Sequence, residues 1–73
     1  MKTRRDWAKW GARLELRRTR KGWTQEALAT RLGVTRLTIA RLEAGVRRPS
    51  VELVERLARV FKLKIETLLG RPR

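Results

Sequence analysis

The chain has 73 residues, 41% of them hydrophobic, and carries 20 Lys and Arg against 7 Asp and Glu, a net charge of +13. A chain of this size buries only about 60% of the surface that its unfolded form exposes, so one small domain is expected over residues 1–73, with frayed tails at about 1–5 and 71–73. Cysteine and histidine are absent and Ser50 is the only serine. Disulfides, Cys or His zinc sites and His-activated nucleophiles are thereby excluded, and neither an enzyme nor a metal or cofactor site is expected.

Apolar residues recur three and four apart and no stretch alternates as a strand would, so the fold is expected to be all-α. Trp7, Trp10 and Leu14 form one stripe of a first helix, continued by Arg18. Thr3 with Asp6 resembles a capping box, so this helix is expected to begin at Thr3 or Asp6 and to stop at Gly22. Thr24 is an expected N-cap of a second helix, with Trp23 and Leu28 at the spacing of a hydrophobic staple. Leu28, Ala29 and Leu32 would be its inner face and Gly33 its end. Thr35 would cap a third helix with Val34 and Ile39 as its staple, Ile39 and Leu42 inward, and Gly45 closing it. Two helices of about eight residues joined by a tight glycine turn are the sequence form of a helix-turn-helix.

Val46-Arg47-Arg48-Pro49 reads as a basic loop, and Ser50 as the cap of a fourth helix reaching about Lys62. Its expected inner face is Val51, Val54, Leu57, Ala58 and Phe61. Leu63, Ile65, Leu68 and Leu69 suggest a short fifth helix stopped by Gly70 and Pro72. Five helices around one core is the expected architecture.

The charge excess predicts a polyanionic partner. The longest apolar run is Ala27-Leu28-Ala29, too short to cross a bilayer, and Met1 to Arg5 lacks the apolar stretch of a signal peptide. A cytoplasmic protein that does not act on membranes is expected. The 3 tryptophans invite a base-stacking reading, but Trp10 and Trp23 are needed by the core, leaving only Trp7 as an expected exposed ring.

The ordered string Arg18, Lys21-Gly22-Trp23-Thr24-Gln25-Glu26-Ala27-Leu28-Ala29, Leu32-Gly33-Val34-Thr35, Ile39, Leu42-Glu43, Gly45, Arg48-Pro49-Ser50 resembles the phage-repressor (Cro/CI, XRE-type) helix-turn-helix DNA-binding domains, from about Trp10 to Leu69. Lys62 stands where that family commonly has Gly, and Lys64 where it caps its last helix with Ser or Thr. The resemblance implies a compact five-helix repressor-like domain that binds double-stranded DNA and regulates transcription. The third helix would enter the major groove, placing Arg36, Leu37, Thr38 and Arg41 at base edges, the arginines on guanine and Leu37 on a thymine methyl. Thr24, Gln25, Thr35, Arg47 and Arg48 would hold phosphates. Arg18 and Glu43 would form a structural ion pair. Arg13, Arg17, Arg20 and Lys21 read as a solvated basic face with steering value.

With no sensor or oligomerisation module expected, a homodimer on a pseudo-palindromic operator is the leading reading, its interface built from Leu53, Val60 and Leu69 as apolar surplus of the last two helices. Two alternatives are an antitoxin-type regulator that also holds a toxin partner, and a non-specific nucleic-acid binder driven by charge.

Overall fold

A computed structural model describes the backbone of residues 4–69 and side chains from Trp7 onward. The chain order is α1 (Arg4–Arg20), α2 (Gln25–Leu32), α3 (Arg36–Ala44), α4 (Val51–Phe61) and α5 (Ile65–Leu69), with no strand among the described residues. α1 is helical from Arg4. The capping role expected of Thr3, and Gly70 and Pro72 as the final stop, lie outside the described residues.

Local chemistry sets the helix boundaries. Thr24, Thr35 and Ser50 each sit in extended backbone and accept a hydrogen bond from the N–H three residues on, at 3.0, 3.2 and 3.1 Å. Each satisfies one of the N–H groups that a helix start leaves unpaired. At the other ends Gly33 (φ 74°) and Gly45 (φ 77°) turn left-handed, which glycine does without steric cost. Lys62 makes the same turn at φ 57°, and Leu63 N–H reaches Ala58 O at 2.9 Å. The non-glycine residue therefore carries out the glycine's task at a penalty of about 1–2 kcal/mol.

The core joins all five helices: Trp10 and Leu14 from α1, Leu28 and Leu32 from α2, Ile39 and Leu42 from α3, Leu57 and Phe61 from α4, and Leu68 from α5. Three expectations change. Val51 is 77% exposed, because it opens α4 a full turn before the inward stripe, which runs through Val54, Leu57 and Ala58. Leu53 is 7% exposed and belongs to the core, so it is not apolar surplus on an outer face. Trp7 is half-buried and packs edge-on against Trp10, ring centroids 6.1 Å apart, rather than standing in solvent. Val60, Leu63 and Leu69 are half-buried against the core, and Ile65 is 40% exposed.

A helix of five residues cannot hold itself in water. α5 is held by α1, with Trp10 Nε1 donating to Leu68 O at 3.1 Å and Arg17 Nη2 to Thr67 O at 3.2 Å.

α1 also meets α3 backbone to backbone. A Cβ on Gly11 would overlap the carbonyl oxygens of Leu42 and Glu43, and a Cβ on Gly45 would overlap the backbone of Ala8. Glycine inside an exposed helix costs about 1 kcal/mol relative to alanine, so Gly11→Ala would be stabilising if the site were open. Here the added methyl must displace backbone, an overpacking cost of about 1–3 kcal/mol or more. Gly11→Ala is expected to lower the thermal midpoint followed by circular dichroism; an increase would show that the two helices stand farther apart.

Candidate nucleic-acid interface

The α2–α3 turn is only Gly33-Val34-Thr35, closed by Val34 N–H on Ala29 O at 3.0 Å. This short link leaves α3 little freedom of direction. Ile39, Leu42 and Glu43 are its buried residues, and helical periodicity then turns Leu37, Arg41 and Ala44 outward. Leu37 is 49% exposed, and Arg41 lies one turn from it with no hydrogen-bond or ion-pair partner among the described residues.

The four expected base-edge residues are not equivalent. Leu37 and Arg41 occupy the outermost strip. Thr38 is half-buried on one flank, its hydroxyl 3.1 Å from that of Thr35. Arg36 stands on the other flank, where Nη1 donates to Gln25 Oε1 at 3.2 Å.

That last contact ends a chain of polar bonds that begins in the core. Arg18 donates from Nε to Glu43 Oε2 at 2.6 Å and from Nη2 to Glu43 Oε1 at 3.1 Å. Its remaining nitrogen, Nη1, donates to Trp23 O at 2.6 Å. Both side chains belong to residues only 8% exposed, so the expected structural pair is present and buried. The hydrogen bonds to Glu43 raise the Arg18 pKa above its ordinary value despite the opposing effect of burial, so the guanidinium stays charged. Gln25 Nε2 then donates to Glu43 Oε1 at 3.0 Å. The amide of Gln25 thus bridges Glu43 near one end of α3 and Arg36 at the other, two helical turns apart on one side of the helix.

Gln25 is half-buried with both ends of its amide engaged, leaving one N–H for an outside group. Thr24 and Thr35 are exposed, and each uses its oxygen to cap its own helix. Arg47 and Arg48 are exposed in the α3–α4 loop, anchored by the buried Pro49. Arg47 lines a cleft with Thr38, Ser50 and Arg56, which puts the loop beside α3 and at the start of α4. The Gln25–Arg36 bond brings the start of α2 to the start of α3. The starts of α2 and α4, each with a partial positive charge and unpaired N–H groups, therefore flank the start of α3.

Two features were missed by sequence reasoning. Arg56 of α4 donates to Leu32 O at 3.1 Å and to Glu52 Oε2 at 2.8 Å, fixing the end of α2 to α4. The Glu52–Arg56 spacing of four was a visible signal; the reach to Leu32 was not. Arg31 lies 4.2 Å over the Trp23 ring, which in turn packs on Phe61 at 5.6 Å. A spacing of eight on and beside α2 gives no direct sign of that stacking.

A helix-turn-helix family model matches residues 14–68, which contain every element just described except the first part of α1. The chain belongs to the XRE-type helix-turn-helix family. It is 49% identical over 51 residues to an HTH-type transcriptional regulator of Archaeoglobus fulgidus, covering 70% of this chain and 73% of that protein. It is 41% identical over 59 residues to the HTH-type transcriptional regulator AnsR of Bacillus subtilis, 81% of this chain but 51% of AnsR. In structure it is similar to the restriction-modification controller protein C.AhdI of Aeromonas hydrophila, with a TM-score of 0.82 and 34% identity over 89% of this chain and 94% of that one. The family is one of DNA-binding transcriptional regulators, and the curated relatives are regulators rather than enzymes. No helix among the described residues is long and apolar enough to cross a membrane.

The ion pair can be tested without DNA. Removing one member of a buried pair costs about 3–5 kcal/mol, against roughly 4–11 kcal/mol in total for a chain of this size. Glu43→Ala strands Arg18 and frees Gln25 together, so it is expected to abolish most cooperative unfolding. A midpoint within a few degrees of the parent would show that water already reaches the pair.

Proposed function

We propose that this protein is a sequence-specific double-stranded DNA-binding regulator that reads base edges with α3. The observation that carries the reading is the pairing of Leu37 and Arg41, outward and one turn apart, on a helix whose inner side is fixed by the core and the Arg18–Glu43–Gln25 chain. An exposed leucine beside an unpartnered arginine suits a thymine methyl next to a guanine, whose O6 and N7 accept a guanidinium fork. Arg36 reads from the flank with its direction set by Gln25, and Thr38 contributes through its methyl. Thr24, Gln25, Thr35, Arg47 and Arg48 hold phosphates on either side, the threonines mainly through the N–H groups of the helix starts that they cap.

The protein works as a homodimer on a pseudo-palindromic site, with half-sites about 34 Å apart. Val60, Leu69 and the more exposed Ile65 supply the apolar part of the interface; Leu53, being in the core, supports it from behind. Ile65→Glu is expected to leave helicity unchanged, to shift sedimentation toward monomer, and to weaken operator binding as the second half-site is lost. A parent protein that sediments as a monomer with and without operator would remove the dimer.

Reading and positioning separate in a salt series. Selection from a random duplex pool supplies a preferred site; no enrichment would favour charge-driven, non-specific binding. Copurification with a protein partner irrespective of DNA would favour a toxin-holding role. On the selected site Arg41→Ala is expected to cost about 1–3 kcal/mol and to relax preference at one base position. Arg47→Ala should weaken selected and scrambled duplexes alike and flatten the log-affinity against log-salt slope by about 0.9. Equal losses from both variants on both duplexes would deny α3 a reading role.

A further inference from the structure

The outer side of α1 carries cations that neither the core nor the α3 interface uses. Trp10, Leu14 and Arg18 face the core, while Ala8 and Gly11 lie against the end of α3. Helical periodicity places Lys9, Arg13, Leu16 and Arg20, spaced i, i+4, i+7 and i+11, on the opposite side. All four are exposed. Lys9, Arg13 and Arg20 have no ion-pair or hydrogen-bond partner through their side chains among the described residues, where the ion pairs are Arg18–Glu43 and Arg56–Glu52. Glu15, the acid among the described side chains of α1, lies off this stripe by helical periodicity, on the side of Ala8 and Gly11, and its charge favours the charged form of Arg18.

We infer that the Lys9–Arg13–Arg20 face of α1 is a second DNA-backbone site, which holds another duplex while α3 holds the first. Geometry allows both at once. α1 and α3 pack on each other through their inner sides, so the α1 stripe and the Leu37–Arg41 strip point away from one another. The stripe spans roughly 16 Å at the helical rise of about 1.5 Å per residue. A duplex strand offers a phosphate about every 3.4 Å of axis, so several phosphates fall within that reach. Arginine at two of the three cationic positions suits phosphate oxygens, which its planar fork can engage in pairs. Leu16 is the single apolar residue of the stripe, too little for insertion among lipid headgroups, which needs a continuous apolar face.

The inference stands apart from the reading of α3, since any duplex can serve as the second one. The experiment immobilises one biotinylated duplex, adds protein, and scores capture of a soluble fluorescent duplex of unrelated sequence per protein retained. Protection of the immobilised duplex is read separately by footprinting. The parent is expected to capture the second duplex. Lys9→Gln, Arg13→Gln and Arg20→Gln combined should reduce that capture at least about fivefold at moderate salt and flatten its salt slope by about 0.9 per cation removed, with the footprint retained. A control set of equal charge change, Arg59→Gln, Lys62→Asn and Lys64→Gln, should keep the capture. Circular dichroism verifies that both sets fold. The inference is overturned if the parent captures no second duplex, or if the α1 set captures as much as the parent. It also fails if the control set loses as much, which would assign the effect to net charge. Binding of polyglutamate or anionic vesicles through this face, in place of duplex, would overturn it as well. Loss of site preference in Arg41→Ala with second-duplex capture intact would separate a failure of the α3 reading from a failure of this one.

Discussion

Arg18 and Glu43 are taken out of water together, and the position of α3 depends on how that is done. A carboxylate and a guanidinium buried apart would each cost several kcal/mol; buried together they roughly break even. What the pair contributes is direction. Arg18 spends three nitrogens, two on Glu43 and one on Trp23 O at the approach to α2. Glu43 spends its second oxygen again on Gln25, and Gln25 passes the constraint to Arg36. No buried side-chain polar atom among the described residues is left without a partner. A network satisfied at every point has few alternative arrangements, and so α1, α2 and α3 are held in one register by bonds that dispersion between leucines alone would not specify.

The close approach of α1 to α3 serves the same end. Gly11 and Gly45 remove the side chains that would keep two helices at their usual separation. The Arg18 side chain can then reach Glu43 with a 2.6 Å bond instead of through water. α4 braces the other side, where Arg56 donates to the Leu32 carbonyl at the end of α2. The α2–α3 turn is thus braced from α1 and from α4. A helix held this way would lose little entropy on docking, so more of any contact it made would appear as affinity.

Much of this was legible in the sequence, and for local reasons. Thr24, Thr35 and Ser50 announce helix starts because a short hydroxyl side chain can bend back to its own backbone. Gly33 and Gly45 announce ends because the required turn is left-handed. Such signals need only neighbours in the chain. The inward stripe of α4 was legible in phase but not at its edges. Val51 opens the first turn and is 77% exposed, while Leu53, two residues on, is buried in the core. The Gln25 bridge and the Arg56 brace join residues 11, 18 and 24 positions apart. Only the fold brings them together. Spacing placed Arg18 on the inward stripe of α1, but the resemblance was what paired it with Glu43.

The net charge of +13 bears on all of this. Mutual repulsion among cations opposes compaction, and the described residues answer it with very few ion pairs, one of them exposed. Exposed cations lie along the outer side of α1, across the start of α3 and through the α3–α4 loop, where water screens them from one another. Repulsion is then relieved mainly by whatever polyanion binds, so folding and DNA binding draw on the same electrostatic free energy and reinforce one another by linkage. A neutral core of about a dozen apolar side chains could tolerate that repulsion only if its geometry were fixed by something other than bulk hydrophobicity. Arg18, the one buried arginine among the described residues, does that, placed where its charge organises the fold while those of its exposed neighbours remain free to engage a polyanion.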